Sequence, residues 1–168
     1  YKLINNKEIL PFEKVWYDVW KNIDNLTIRE QIAITTYIVN YINPDFTPAY
    51  IVRGDAYFTN KDYINALQDY TTAIEQQPNN AEIYYKRGLT YNYLKDFYPT
   101  AINDFKQATD LNNNIANFWA EYSYALKFSH YGADEMLAKA IAINPQYKNF
   151  NYNELEQQRT TIVYSSAL

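Results

Sequence analysis

Along residues 47–115 the large apolar side chains fall at helical intervals, and the pattern is written twice. Tyr50, Gly54 and Tyr57 are spaced by four and three, so the two rings and the glycine share one helix face. A second stripe follows, Ala66, Tyr70 and Ala73, small and large in alternation, and it stops at Pro78-Asn79-Asn80. Each unit is therefore predicted as two antiparallel helices joined by a short turn. The second copy repeats the first residue by residue: Tyr50, Arg53, Gly54, Tyr57 and Tyr63 recur 34 positions later as Tyr84, Arg87, Gly88, Tyr91 and Phe97. Beyond one inserted residue near Pro99, Ala66, Asp69, Tyr70 and Ala73 are answered by Ala101, Asp104, Phe105 and Ala108 at a shift of 35. A period of this length marks a helical unit that buries its apolar face by stacking on its neighbours. Glycine inside a helix costs roughly 0.5–1 kcal/mol against alanine, so Gly54 and Gly88 are expected where a neighbouring helix backbone comes close.

The flanks carry weaker versions of the same unit. Trp16 lies 34 residues before Tyr50 and Pro44 the same distance before Pro78, which makes 13–46 a degenerate first unit after a lead-in at 1–12. Trp20 stands in its glycine position and is expected to force that helix pair apart or tilt it. Thr27-Ile28-Arg29-Glu30 is a capping box that opens its second helix, which continues towards Asn43-Pro44. Residues 116–147 form a second degenerate unit, with Trp119 in the Tyr84 place, Ser123 in the glycine place and a tightened corner at Ser129-Gly132. A terminal capping helix over 151–164 starts with Asn151 three residues before Glu154.

The order Tyr/Trp, Gly, Tyr, Ala, Tyr/Phe, Ala, Pro at this spacing resembles the tetratricopeptide (TPR) repeat, in nearly full form at 47–80 and 81–115. Arg53 and Arg87 depart from the usual leucine before the glycine, and Asn113 replaces the closing proline of the second unit. The resemblance implies an all-α, right-handed α-α superhelix of about four helix pairs with a C-terminal capping helix, forming one continuous domain. It also implies a protein-interaction module or adaptor that takes a partner peptide or helix on the concave surface lined by the first helices.

Composition narrows the choices. The 168 residues carry a net charge of −4 and no basic run, which argues against nucleic acid. No cysteine is present, so disulfides and thiolate metal sites drop out, and the longest apolar stretch is too short to span a bilayer. The chain starts at Tyr1 without a signal-peptide pattern, which reads as a processed or trimmed fragment. A cytoplasmic location is the default, and an exported or periplasmic one is compatible with a removed leader. The 19 tyrosines follow a general Tyr, Asn, Ile and Lys bias and carry little functional weight.

No phosphate loop, G-x-S-x-G or H-E-x-x-H motif occurs, the single histidine His130 sits in a predicted corner, and no enzyme, cofactor or metal is expected. What remains is binding. With Tyr50, Tyr57, Tyr84 and Tyr91 assigned to the packing face, the offset face of the first helices presents Tyr17 and Lys21, then Ile51, Asp55 and Phe58. It continues with Tyr85, Leu89, Asn92 and Tyr93, and ends with Tyr124, Lys127 and Phe128. Truncation of Tyr85 is expected to weaken a partner while sparing the fold, and Asp55 to set the polarity of the groove. In the resemblance, a chaperone-tail clamp needs Lys, Asn and Arg on this face. Tyr17, Ile51 and Tyr85, with Lys21, Asp55 and Leu89, argue for an apolar or weakly basic partner instead. The competing reading is a self-associating homo-oligomeric scaffold, and a third is a regulatory subunit of a cell-envelope or secretion assembly.

Overall fold

The computed structural model describes residues 12–94, 98–127 and 132–153. Among these the chain forms eight α-helices and no strand: α1 Phe12–Lys21, α2 Ile28–Tyr37, α3 Thr47–Thr59, α4 Tyr63–Gln76, α5 Ala81–Tyr93, α6 Tyr98–Leu111, α7 Ala116–Lys127 and α8 Ala133–Ile143. The hairpins α3/α4, α5/α6 and α7/α8 pack within themselves and stack in order, giving the superhelical solenoid that the period predicts. Alanines make this closeness possible. Ala66, Ala73, Ala101 and Ala108 are fully buried, so each second helix can nest between its own first helix and the next.

The glycines act differently from expectation. A β-carbon on Gly54 would stand 2.7 Å from Cε1 of Tyr70, and one on Gly88 would stand 3.1 Å from Cε1 of Phe105 and 3.2 Å from Cβ of Asp104. What lies against each glycine is mainly the flat ring of the second helix, not its backbone. The small-large-small stripe on α4 and α6 thus supplies the ring that the glycine on α3 and α5 receives.

Each complete unit also contains a buried fork that sequence reasoning did not pair. Arg53 donates from Nε and Nη2 to the two carboxylate oxygens of Asp69 at 2.8 and 2.7 Å, and from Nη1 to Thr36 Oγ1 on the preceding α2 at 3.2 Å. Arg87 repeats this on Asp104 at 2.8 Å for both bonds, and on Thr71 of α4 at 3.2 Å. One guanidinium therefore ties three helices and two successive units together. Burial pushes the Asp69 and Asp104 carboxyls up, and their arginines pull the other way.

The first unit departs most from the pattern. Thr27 and Glu30 complete the capping box, with Thr27 N–H donating to Glu30 at 2.8 Å and Glu30 N–H to Thr27 Oγ1 at 3.3 Å. After Tyr37 the helix widens into a π turn over Ile38–Ile42, where Asn43 N–H reaches Ile38 O at 2.9 Å. The apolar run had been expected to continue as ordinary helix. Trp20 remains 55 % exposed, and α1 is held by Phe12 and Trp16, whose rings meet Phe46 edge-on at 4.9 and 5.0 Å. A tryptophan in the glycine position thus leaves α1 anchored at the Phe46 corner, where Ile38, Val39 and Ala49 are buried.

At the other end, the corner that had been expected to tighten contains His130 and lies outside the described residues apart from Gly132, whose φ of 79° precedes α8. A short 3-10 turn, Pro145–Asn149, follows α8 and was not foreseen. Asn151 caps a helical start by accepting from Asn153 N–H at 3.0 Å, and the rest of the expected capping helix lies outside the described residues.

Candidate functional site

The first helices α3, α5 and α7 are joined side by side by direct contacts. Lys86 on α5 donates to both oxygens of Asp55 on α3, at 3.0 and 2.9 Å, and Tyr85 on α5 stacks on Phe118 of α7 with centroids 4.7 Å apart. Phe58, Tyr63 and Tyr93 form an aromatic corner across two units, with centroid distances of 5.1–5.6 Å.

The residues predicted to line the groove divide into three groups. Tyr17, 56 % exposed, and Lys21 stand at the surface of α1. Ile51, Phe58, Leu89 and Tyr93 are half-buried, Ile51 and Phe58 against the core around Tyr70 and Leu89 against the core around Phe105. Asn92 and Tyr124 are buried at 1 % exposure, which corrects their assignment as surface contacts. Asn92 Nδ2 donates to Glu121 of α7 at 3.5 Å while its Oδ1 has no partner. Tyr124 sits near Tyr152, whose ring also lies 4.7 Å from the Lys127 ammonium and whose hydroxyl bonds Ser123 Oγ. The chain beyond the 3-10 turn therefore covers α7 where an open face had been expected. Phe128 lies outside the described residues.

Two further expectations change. Asp55 is not a bare anion, because Tyr70 Oη donates to it at 2.7 Å and Lys86 neutralises it. Burial and that same carboxylate push the Tyr70 phenol up. Tyr85 is half-buried and joins two units through Phe118 and Phe105, so its removal must also disturb the stack. Sequence spacing places such a ring on the correct face, but depth depends on the neighbouring unit, which spacing alone does not give.

A cleft of about 900 Å³ opens where this surface meets the α4–α5 and α6–α7 turns, and it shares Tyr85, Lys86 and Phe118 with it. Tyr85, Phe118, Leu111 and Ile115 supply its apolar side, and Glu82 and Lys86 are the charged residues among its lining. Leu111 and Ile115, both at the α6–α7 turn, had no role in the sequence reading, since only the stacking of units sets that turn against the α4–α5 turn. Among the described residues, no cluster of histidine and carboxylate side chains fits a metal ion, and no helix is long and apolar enough to cross a membrane.

The TPR repeat family model matches residues 54–92. Superkiller complex protein 3 of Mus musculus is 32 % identical over 72 residues, which is 43 % of this chain and 4 % of that protein. The chain thus spans a small fraction of that relative. Among solved structures, the MamA protein aligns with a TM-score of 0.66 and 18 % identity over 77 % of this chain and 71 % of its own. The first TPR of Spaghetti (RPAP3) bound to HSP90 peptide SRMEEVD aligns with a TM-score of 0.57 and 20 % identity, covering 70 % of this chain and 93 % of that one. At these identities the structural likeness speaks for the fold.

Proposed function

The chain is a tetratricopeptide-repeat domain, and from that premise we propose that it is an interaction module holding an extended apolar or weakly basic segment of a partner protein on its concave surface. The observation that carries this reading is the lateral joining of α3, α5 and α7 through Asp55, Lys86, Tyr85 and Phe118, which makes one continuous surface from separate units. Ile51, Phe58, Leu89 and Tyr93 keep part of their area open on the stripe predicted to face a ligand, with Tyr17 and Lys21 beyond them. Aromatic and branched side chains on a preformed scaffold give contact area at low entropic cost, so a few of them suffice to anchor a peptide. The solved relative bound to an HSP90 peptide supports a peptide as the type of ligand. Asp55 in this reading preorganises Lys86 and does not contact the partner as a bare charge.

Exposed rings on α1 and at the end of α2, Tyr17, Trp20, Tyr37 and Tyr41, favour a second reading in which copies of the chain associate through the first unit. A photo-crosslinking residue placed at Lys21 and, separately, at Asn103 on α6 distinguishes the outcomes in an extract of the native cells. Capture of a different protein from position 21 supports the concave reading, and capture of the chain itself supports association. Capture from position 103 alone removes both.

A further inference from the structure

We infer that residues 147–152 are an internal ligand laid along α7, and that a partner reaching this end of the concave surface displaces them with aromatic side chains of its own. The inference rests on the proposed function and names what regulates it in the chain alone. Along the segment, Tyr147, Phe150 and Tyr152 are half-buried, while Lys148, Asn149 and Asn151 between them are exposed. Three rings therefore hold it, as a few anchors hold a bound peptide.

The rings reach both ends of α7. Tyr147 Oη donates to Asn117 in the first turn, and burial and then the Glu121 carboxylate push that phenol up. At the last turn the Lys127 ammonium stands 4.7 Å over the Tyr152 ring, which also lies near Tyr124. Ser123 donates to Ala133 O at 2.8 Å, which leaves its oxygen to accept from Tyr152 Oη. Phe150 links the two ends, with ring centroids 5.7 Å from Tyr147 and 5.2 Å from Tyr152.

The repeat explains why a ring belongs there. Tyr70 on α4 and Phe105 on α6 cover the glycines of their first helices, but α8 has Ala140 at the matching position and α7 has Ser123 in the glycine place. The last hairpin thus lacks this ring, and Tyr152 brings one from outside it. A seat that one segment's ring fills can be filled by another's, against an effective concentration on the order of millimolar for the tethered copy.

The test uses the whole chain and a fluorescein-labelled, end-capped peptide copying residues 145–153. Phe150→Ser with Tyr152→Ser, checked for folding by circular dichroism, removes two of the internal rings. This variant is expected to bind the peptide saturably and at least about tenfold more tightly than the parent chain, and a peptide with serine in place of its three rings should not bind. Independently of any variant, excess unlabelled peptide added to the parent chain should speed amide exchange at Phe150 and Asn153, whose N–H groups bond Tyr147 O and Asn151 Oδ1. Equal binding to parent and variant, no binding to either, or unaltered exchange in the parent would overturn the internal ligand and leave the proposed function standing. Preference of the peptide for the variant, with crosslinks arising from position 103 alone, would keep the internal ligand and remove the proposed function.

Discussion

The ring of Tyr70 covers Gly54 so closely that a β-carbon there would come within 2.7 Å of Cε1, and the Tyr70 hydroxyl is fixed to Asp55 at 2.7 Å. The ring is therefore held at both its edge and its tip, and it cannot swing away to admit a methyl group.

Gly54→Ala is expected to destabilise the chain by about 1–3 kcal/mol, the range for overpacking a filled core. Gly88→Ala should cost less, because its nearest neighbours stand at 3.1 and 3.2 Å and Phe105 has no hydroxyl to anchor its ring. Denaturant melts of the two variants and of Gly54→Ala with Tyr70→Leu check this. If the leucine fails to recover any of the alanine penalty, the ring is not the obstacle.

Removing one half of a buried fork should be worse than removing both. Arg53→Leu leaves Asp69 buried without its partner, and a loss of about 3–5 kcal/mol is expected. Arg53→Met combined with Asp69→Leu should regain a large part of it. A double-mutant cycle measured by urea unfolding decides, and additive losses would show that the two side chains do not act as a pair.

Tyr85→Ala should lower both melting temperature and partner affinity, contrary to what its position on the sequence pattern implies. The ring stacks on Phe118 and packs near Phe105, so a cavity penalty of about 3 kcal/mol accompanies the loss of contact area. Calorimetry separates this from a pure surface role, which would leave the melting temperature where it was.

Acid should loosen the start of α2 before the stack itself. The Glu30 carboxylate is held below its ordinary range by the hydroxyl and then the backbone N–H of Thr27. Its contribution is therefore full above the ordinary carboxylate range and is lost as pH falls through the lowered value. Amide exchange at Thr27 and Glu30 should accelerate over that window, and Glu30→Gln should remove the pH dependence.

The fold was legible because its signal is repetition of size. Ala66, Ala73, Ala101 and Ala108 recur at fixed offsets, and all four are fully buried. The forks were less legible: Arg53 and Asp69 both recur visibly, but a pairing across 16 residues of a helix hairpin becomes apparent only when the turn is built. Groove depth was not legible. Tyr124 lies on the same predicted stripe as Phe58, yet it is buried near Tyr152 from a segment that the repeat does not define. The π turn after Tyr37 had no sequence marker beyond a run of branched residues, which equally suits ordinary helix.

The fork has a consequence for how such a chain can change length. Residues 47–80 contain Arg53 and Asp69, and also Thr71, which accepts from the arginine of the following unit just as Thr36 accepts from Arg53. This segment therefore carries a plug at one side and a matching socket at the other. A tandem duplication of it would bring both halves of a new junction with it, so the array could lengthen by whole units without any compensating substitution.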